Sequence, residues 1–357
     1  MIYNEYFASM NTGGGFEGHF DNVFSPHKLI ALYIIKGGAG TGKSGAMKKI
    51  AEYFEGRGHS IERFLCSSDT DSLDGVIVDS KVAVIDGTSP HIKDPDYFGA
   101  VDEIINFGTA LNEDALRLNR KTIIELVEKK KDAYRKGYAF LSAASQIKKE
   151  QAEIASKNLN YEKMQGAIDR FIKQNGVIEN NIPEELRLIY SISSKGAIWL
   201  DTFEKNSEKI CTITNAHGCE GIFLNAFAES LRKIDVGFIK SLSPFVKNEI
   251  NGIFIPDKRI SVVLGRGEET TYNPKYKIFN LERFLDKMNI CENRAKLRFA
   301  KKCSEALIES SAESFADAKK YHEALEKIYS SAVDFNKVDK MIETLIIKIG
   351  KDLFGTY

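Results

Sequence analysis

Residues 37–44 read Gly-Gly-Ala-Gly-Thr-Gly-Lys-Ser and satisfy the pattern G-x-x-x-x-G-K-[ST] in full. What flanks such a run decides whether it matters. Upstream, Leu29 to Ile35 form a continuous apolar stretch, as expected of a strand buried on both faces. Downstream, Ala46, Met47, Ile50, Ala51 and Phe54 recur at helical spacing and stop near Gly56 and Gly58, which suit a helix end. Strand, glycine loop and helix in that order are what a phosphate-binding P-loop requires. The fold class expected is therefore α/β: a P-loop NTPase-type, mostly parallel sheet with flanking helices.

The chemistry expected of the loop follows from its residue types. Gly37, Gly40 and Gly42 let the backbone curl so that successive N–H groups converge at the positive end of the following helix. Gly37, Gly38, Ala39, Gly40, Thr41, Gly42, Lys43 and Ser44 together would cradle a nucleoside triphosphate, with ATP expected. Lys43 would place an ammonium against the β- and γ-phosphates, and the Ser44 hydroxyl would be a magnesium ligand. A carboxylate should hold the same Mg2+ from a neighbouring strand. Asp86, after the apolar run 82–85, has that position and reads as the Walker B aspartate.

Gly87 stands where many ATPases carry a glutamate that orients water, so hydrolysis needs another base or is slow. Residues 60–66 read as a second strand, followed by the polar run 67–76. Asp69, Asp71 and Asp74 in that run are the catalytic candidates beside Lys43, since ligands bind at the carboxyl ends of open parallel sheets. They could position water, a phosphate acceptor or metal-bound waters. The plainer alternative is a helix cap by Ser68 and Asp69 with a solvated turn. His91, in the segment after Asp86, reads first as a turn residue.

Composition sets limits on the rest. A chain of 357 residues has room for two domains, each with its own core. Lys plus Arg and Asp plus Glu each number 50, so no global field draws the chain to nucleic acid or anionic lipid. No apolar run approaches the roughly 20 residues of a membrane span. The start MIYNEYF lacks a basic segment followed by an apolar one, so no signal peptide is expected. The cysteines at 66, 211, 219, 291 and 303 are scattered without a CxxC pair, which argues against a disulfide framework and a zinc site. A reduced, cytoplasmic protein is the expectation.

Sliding the chain on itself exposes an internal repeat. An offset of 178 (215 − 37) sets GGAGTGKS against NAHGCEGI and the strand Lys81–Ile85 against Arg259–Val263. At 177, Asp74-Gly75-Val76 faces Asn251-Gly252-Ile253; at 174, Leu159, Tyr161 and Ile168 face Val333, Phe335 and Ile342. The copy has Gly221 for Lys43, Ile222 for Ser44, Glu220 for Gly42 and Leu264 for Asp86. The second half is thus expected to keep the fold without binding nucleotide. Residues 1–178 read as the active half, with a helical hairpin over about 114–175. Residues 184–357 read as the degenerate half, with a helical region over about 292–352, and the polar stretch 176–184 joins them. Charges on these helices read as solvated faces, and their apolar stripes as packing on each other or on a protein partner.

The runs KGGAGTGKS, CSSDTDSLDGVIV and KVAVIDGTSPH resemble a poorly characterised bacterial family of tandem-duplicated P-loop NTPases. The resemblance covers nearly the whole chain and implies two P-loop folds, although here only one loop keeps its functional residues. Asn336-Lys337-Val338-Asp339 spells the N-K-x-D guanine signature, but it sits in a helical apolar pattern and reads as chance. A slow Mg-dependent ATPase acting as a conformational switch is the leading expectation. The alternatives are a small-molecule or nucleotide kinase and a nucleotide-stabilised scaffold. Arg266 is the expected candidate for a cation supplied by the second half.

Overall fold

The computed structural model describes residues 4–214, 217–265 and 276–355. The first half runs through β1 (Glu5–Phe7), β2 (Ser9–Thr12), β3 (Gly15–Gly18), α1 (Phe20–Val23), β4 (Ala31–Lys36) and α2 (Lys43–Glu55). It continues with β5 (Ile61–Leu65), β6 (Leu73–Val78), β7 (Val82–Asp86) and β8 (Asp102–Asn106). The helices α3 (Glu113–Leu118), α4 (Arg120–Ser156) and α5 (Tyr161–Gln174) follow. The second half contains β9 (Glu185–Leu186), β10 (Tyr190–Ser193), β11 (Gly196–Trp199), α6 (Thr202–Lys205), β12 (Lys209–Thr214) and α7 (Glu220–Arg232). It ends with β13 (Ile239–Leu242), β14 (Ile250–Ile255), β15 (Ile260–Leu264), β16 (Tyr276–Asn280), α8 (Lys287–Ser330) and α9 (Phe335–Phe354).

The first sheet has the order β1-β5-β6-β7-β4-β8. The second has β9-β13-β14-β15-β12-β16, which is the same arrangement of corresponding strands. Both sheets are mixed. In the first, β1–β5, β4–β7 and β4–β8 are parallel, while β6 runs antiparallel to β5 and β7. This departs from an expected loop over 67–76, because Leu73 to Val76 belong to a strand. The physical reason is the length of the connections. A parallel return needs a dozen residues or more, and only residues 66–72 separate β5 from β6, so the chain turns straight back.

One hydrophobic cluster is shared between the sheets: Leu32, Ile34, Phe64, Ile77 and Ile85 meet Ile189, Ile210, Phe254 and Val263. The opposite faces are covered by helices, and here the halves exchange elements. Val338, Ile342, Leu345 and Ile349 of α9 pack into the core of the first sheet with α2. Leu159, Met164, Ile168, Phe171 and Ile172 pack with α7 on the second sheet. Between them α4 and α8 lie side by side. Ser311 Oγ donates to the Gly137 carbonyl oxygen at 2.9 Å, and Phe315 fills the space a side chain at Gly137 would need.

The helix starts are set by capping. Asn160, Asp286 and Asp334 each accept a backbone N–H from the first turn of α5, α8 and α9. Residues 336–339 lie in that first part of α9, so the N-K-x-D tetrapeptide is helical, in keeping with the reading of a chance match. No helix among the described residues is long and apolar enough to cross a membrane.

Candidate nucleotide site

Residues 37–42 connect β4 to α2, and Gly40 (φ 64°) and Gly42 (φ 89°) adopt left-handed backbone that other residues resist. Gly42 is the N-cap of α2, so the loop closes directly onto the helix start. Thr41 Oγ1 donates to the Gly38 carbonyl oxygen at 2.9 Å and pins the curl. Lys43 folds back along the loop, with Nζ donating to the carbonyl oxygens of Gly38 (2.8 Å) and Gly37 (3.2 Å). Asp86 ends β7, the strand beside β4, with Asp86 opposite Ile35. Its Oδ2 is 3.6 Å from Lys43 Nζ, and both side chains are largely shielded. Ser44 Oγ, at the same place, accepts the N–H of Leu73 at 3.0 Å. The donor set fits the groups implied. Left-handed glycines, a lysine turned along the loop, a hydroxyl at the start of α2 and a carboxylate ending the neighbouring strand suit a polyphosphate with a hard divalent ion.

The three aspartates of the 67–76 run have different fates. Asp69 accepts from Ser72 Oγ and from Lys319 Nζ of α8 at 2.8 Å. Burial raises its pKa, but the bond and charge of Lys319 outweigh this and hold it below the usual carboxylate value. Asp71 pairs with Lys195 from the β10–β11 turn at 2.8 Å. Asp74 keeps the expected edge of the sheet but is buried there, since antiparallel β6 begins beside the end of β7. It lies in β6 at 3% exposure, and burial pushes its carboxyl up to about 6. His91 is no exposed turn residue either: its ring stacks on Phe20 and reaches Asp74, Nε2 to Oδ2 3.3 Å.

Most charges of α8 are exposed, as expected, but one stripe turns toward the first half. Lys319, His322, Glu326 and Tyr329 recur at intervals of three and four, so they share one stripe. That stripe lies along the glycine loop. A Cβ at Gly40 would come within 2.6 Å of the Glu326 carbonyl oxygen, and one at Gly38 within 3.0 Å of the Tyr329 ring. His322, its side chain 42% exposed, is shifted down by partial burial and then by the charges of Lys130 and Lys43. Lys130, from α4, is lowered by burial and by Lys43. The loop is thus closed over by helices from both halves. Arg266 lies outside the described residues; among those described, Lys319 and Lys195 are the cations from the second half that meet the 67–76 run.

At the corresponding place in the second half the hollow is filled. A Cβ at Gly221 would lie 2.0 Å from the Glu249 carboxylate carbon, so Glu249 occupies the room beside the start of α7. Burial, with Glu220 next, pushes Glu249 up to about 7. Ala152 of α4 packs on Gly218, with its backbone 3.0 Å from a Cβ placed there. Sequence reasoning missed the α8 stripe and Lys130. The three-four spacing of charges was visible, but nothing in the sequence says which way the stripe faces. No family model matches this chain, and no curated protein or solved structure matches it.

Proposed function

We propose that the chain binds Mg-ATP on residues 37–44 and hydrolyses it slowly, using the bound state to fix the two halves against each other. The carrying observation is the left-handed glycine loop that closes onto α2, with Lys43 folded along it and 3.6 Å from Asp86 at the end of β7. When bound, the nucleotide supplies the phosphoanhydride and magnesium shields its charge. Lys43 exchanges the Gly37 and Gly38 carbonyls for phosphate oxygens, the α2 N-terminus faces the anion, and Ser44 and Asp86 orient the metal. The α8 stripe excludes bulk water, which strengthens each of these interactions. Asp69 and Asp71 are each held by a lysine of the second half, and this favours a role in joining the halves over facing a kinase acceptor.

Two halves of common strand order also favour descent from a tandem duplication. Chain positions 174 residues apart meet the same partners in exchange. Leu111 bridges Val333 while Leu159 bridges Leu285, and 285 − 111 equals 333 − 159. The tandem P-loop NTPase resemblance and a second half without nucleotide belong to the same reading. Steady phosphate release from Mg-ATP without any added acceptor is the decisive assay. Turnover only with an acceptor would favour a kinase, and tight binding without turnover a scaffold.

Two outcomes check individual residues. Asp86→Asn is expected to remove most of the extra thermal stabilisation that magnesium adds to ATP; an unchanged melting shift would reduce Asp86 to a strand-end turn residue that accepts Thr88. Lys319→Ala is expected to lower the melting temperature of the chain by a few degrees and to leave ATP affinity within a few-fold, since its 2.8 Å pair with Asp69 joins the halves. An unaltered melting temperature would make α8 a cover and nothing else.

A further inference from the structure

Beside the glycine loop, on the far side of Asp86, three residues from separate segments converge. Cys66 follows β5, Asp74 lies in β6 and His91 follows β7. One ligand atom from each, a sulfur, a carboxylate oxygen and an imidazole nitrogen, lies within 4.8 Å of the other two. Asp74 Oδ2 and His91 Nδ1 are buried and make no hydrogen bond, although His91 Nε2 stands 3.3 Å from Oδ2. A shielded carboxylate is normally stabilised by paired hydrogen bonds, an opposite charge or a metal. Here Cys66 and His91 both lie against the carboxylate, yet Oδ2 and the other imidazole nitrogen still lack hydrogen-bond partners. We propose that Cys66, Asp74 and His91 bind one zinc-type divalent ion beside the glycine loop.

The ligand chemistry selects the class of ion. Thiolate and imidazole suit zinc, cobalt or ferrous iron, whereas magnesium prefers oxygen ligands such as those of Ser44 and Asp86. Three protein ligands leave a fourth position open to water or to another ligand. The cage is held before any ion arrives. Cys66 N donates to the Ser72 carbonyl oxygen and closes the β5–β6 turn. The His91 ring is fixed between Phe16 and Phe20, with centroids 5.2 and 5.3 Å away.

The fold itself does not demand these residues. In the second sheet the matching turn is closed by Ser243 N donating to the Glu249 carbonyl oxygen, and Ser243 and Asn251 occupy the places of Cys66 and Asp74. Asn251 is as buried as Asp74 and its amide is likewise without a hydrogen-bond partner, but it carries no charge and has no thiol beside it. A carboxylate with a thiol and an imidazole, found in only one of two like sheets, points to a ligand. The widely spaced sequence positions hid this, because none of the familiar short metal spacings is present.

The test uses the full chain, reduced, stripped with a chelator and free of nucleotide, so that it stands apart from ATP binding. Titration with Co2+ alone should give one bound ion per chain and a near-ultraviolet cobalt–thiolate charge-transfer band that excess Mg2+ does not remove. Cys66→Ser, nearly isosteric, should abolish the band, and His91→Gln should weaken Co2+ binding about tenfold or more. Cys291→Ser, at an exposed cysteine, should change nothing. If Cys66→Ser fails to fold, His91→Gln carries the same decision. No band in the wild-type chain, a band that survives Cys66→Ser, or unchanged affinity in His91→Gln overturns the site.

Discussion

A chain ended after Ser331, and so lacking α9, is expected to lose its cooperative thermal transition. Val338, Ile342, Leu345 and Ile349 fill the outer core of the first sheet, each at 5% exposure or less. Burying such a side chain contributes about 1.5–3 kcal/mol, so four contribute roughly 6–12 kcal/mol as an upper figure. Whole domains are stable by only about 5–15 kcal/mol. The sheet that would be uncovered belongs to the first half, far away in sequence. Cutting after residue 178 should fail for the same reason and also strands α5, whose apolar face belongs to the second sheet. Calorimetric melting of the truncated chain decides this. A transition within a few degrees of the full chain would mean that α9 is an ornament of the fold.

Lys43→Ala should weaken Mg-ATP binding by about 10²-fold or more while leaving the melting temperature of the free protein close to wild type. Each charge-assisted hydrogen bond is worth about 1.5–3 kcal/mol, and the ammonium is expected to make several to phosphate oxygens. In the protein itself Lys43 bonds only to loop carbonyls and lies 3.6 Å from Asp86, so little of the fold depends on it. Calorimetric titration with ATP and magnesium, alongside melting, separates the two effects. Wild-type affinity in this variant would remove the nucleotide reading altogether, while leaving the Cys66–Asp74–His91 proposal untouched.

Local chemistry was legible from the residues. The apolar run before Gly37, the helical spacing after Ser44 and the aspartate ending an apolar strand each state their own conformation. The strand, loop and helix form where expected, and Lys43 lies 3.6 Å from Asp86. The likeness of the two halves could also be read, because a repeated strand carries its pattern with it. Asp74 lies at the expected edge of the sheet beside the end of β7, but its burial was not legible. Only the short β5–β6 connection, which forces an antiparallel return, puts it inside.

Which helix covers which sheet was not encoded in any single segment. Amphipathic spacing establishes that α5, α8 and α9 each bury a face, but the hydrophobic effect has no direction and cannot name the partner. The tertiary structure made that choice by crossing the helices between halves, and it thereby set the Glu326 backbone and the Tyr329 ring against the glycine loop and Lys319 against Asp69. The sequence alone determined the strand, the glycine loop and the helix that follows it. Three-dimensional packing decided what surrounds them, because Lys319 meets Asp69 across 250 positions of chain and no local pattern reports on such a distance.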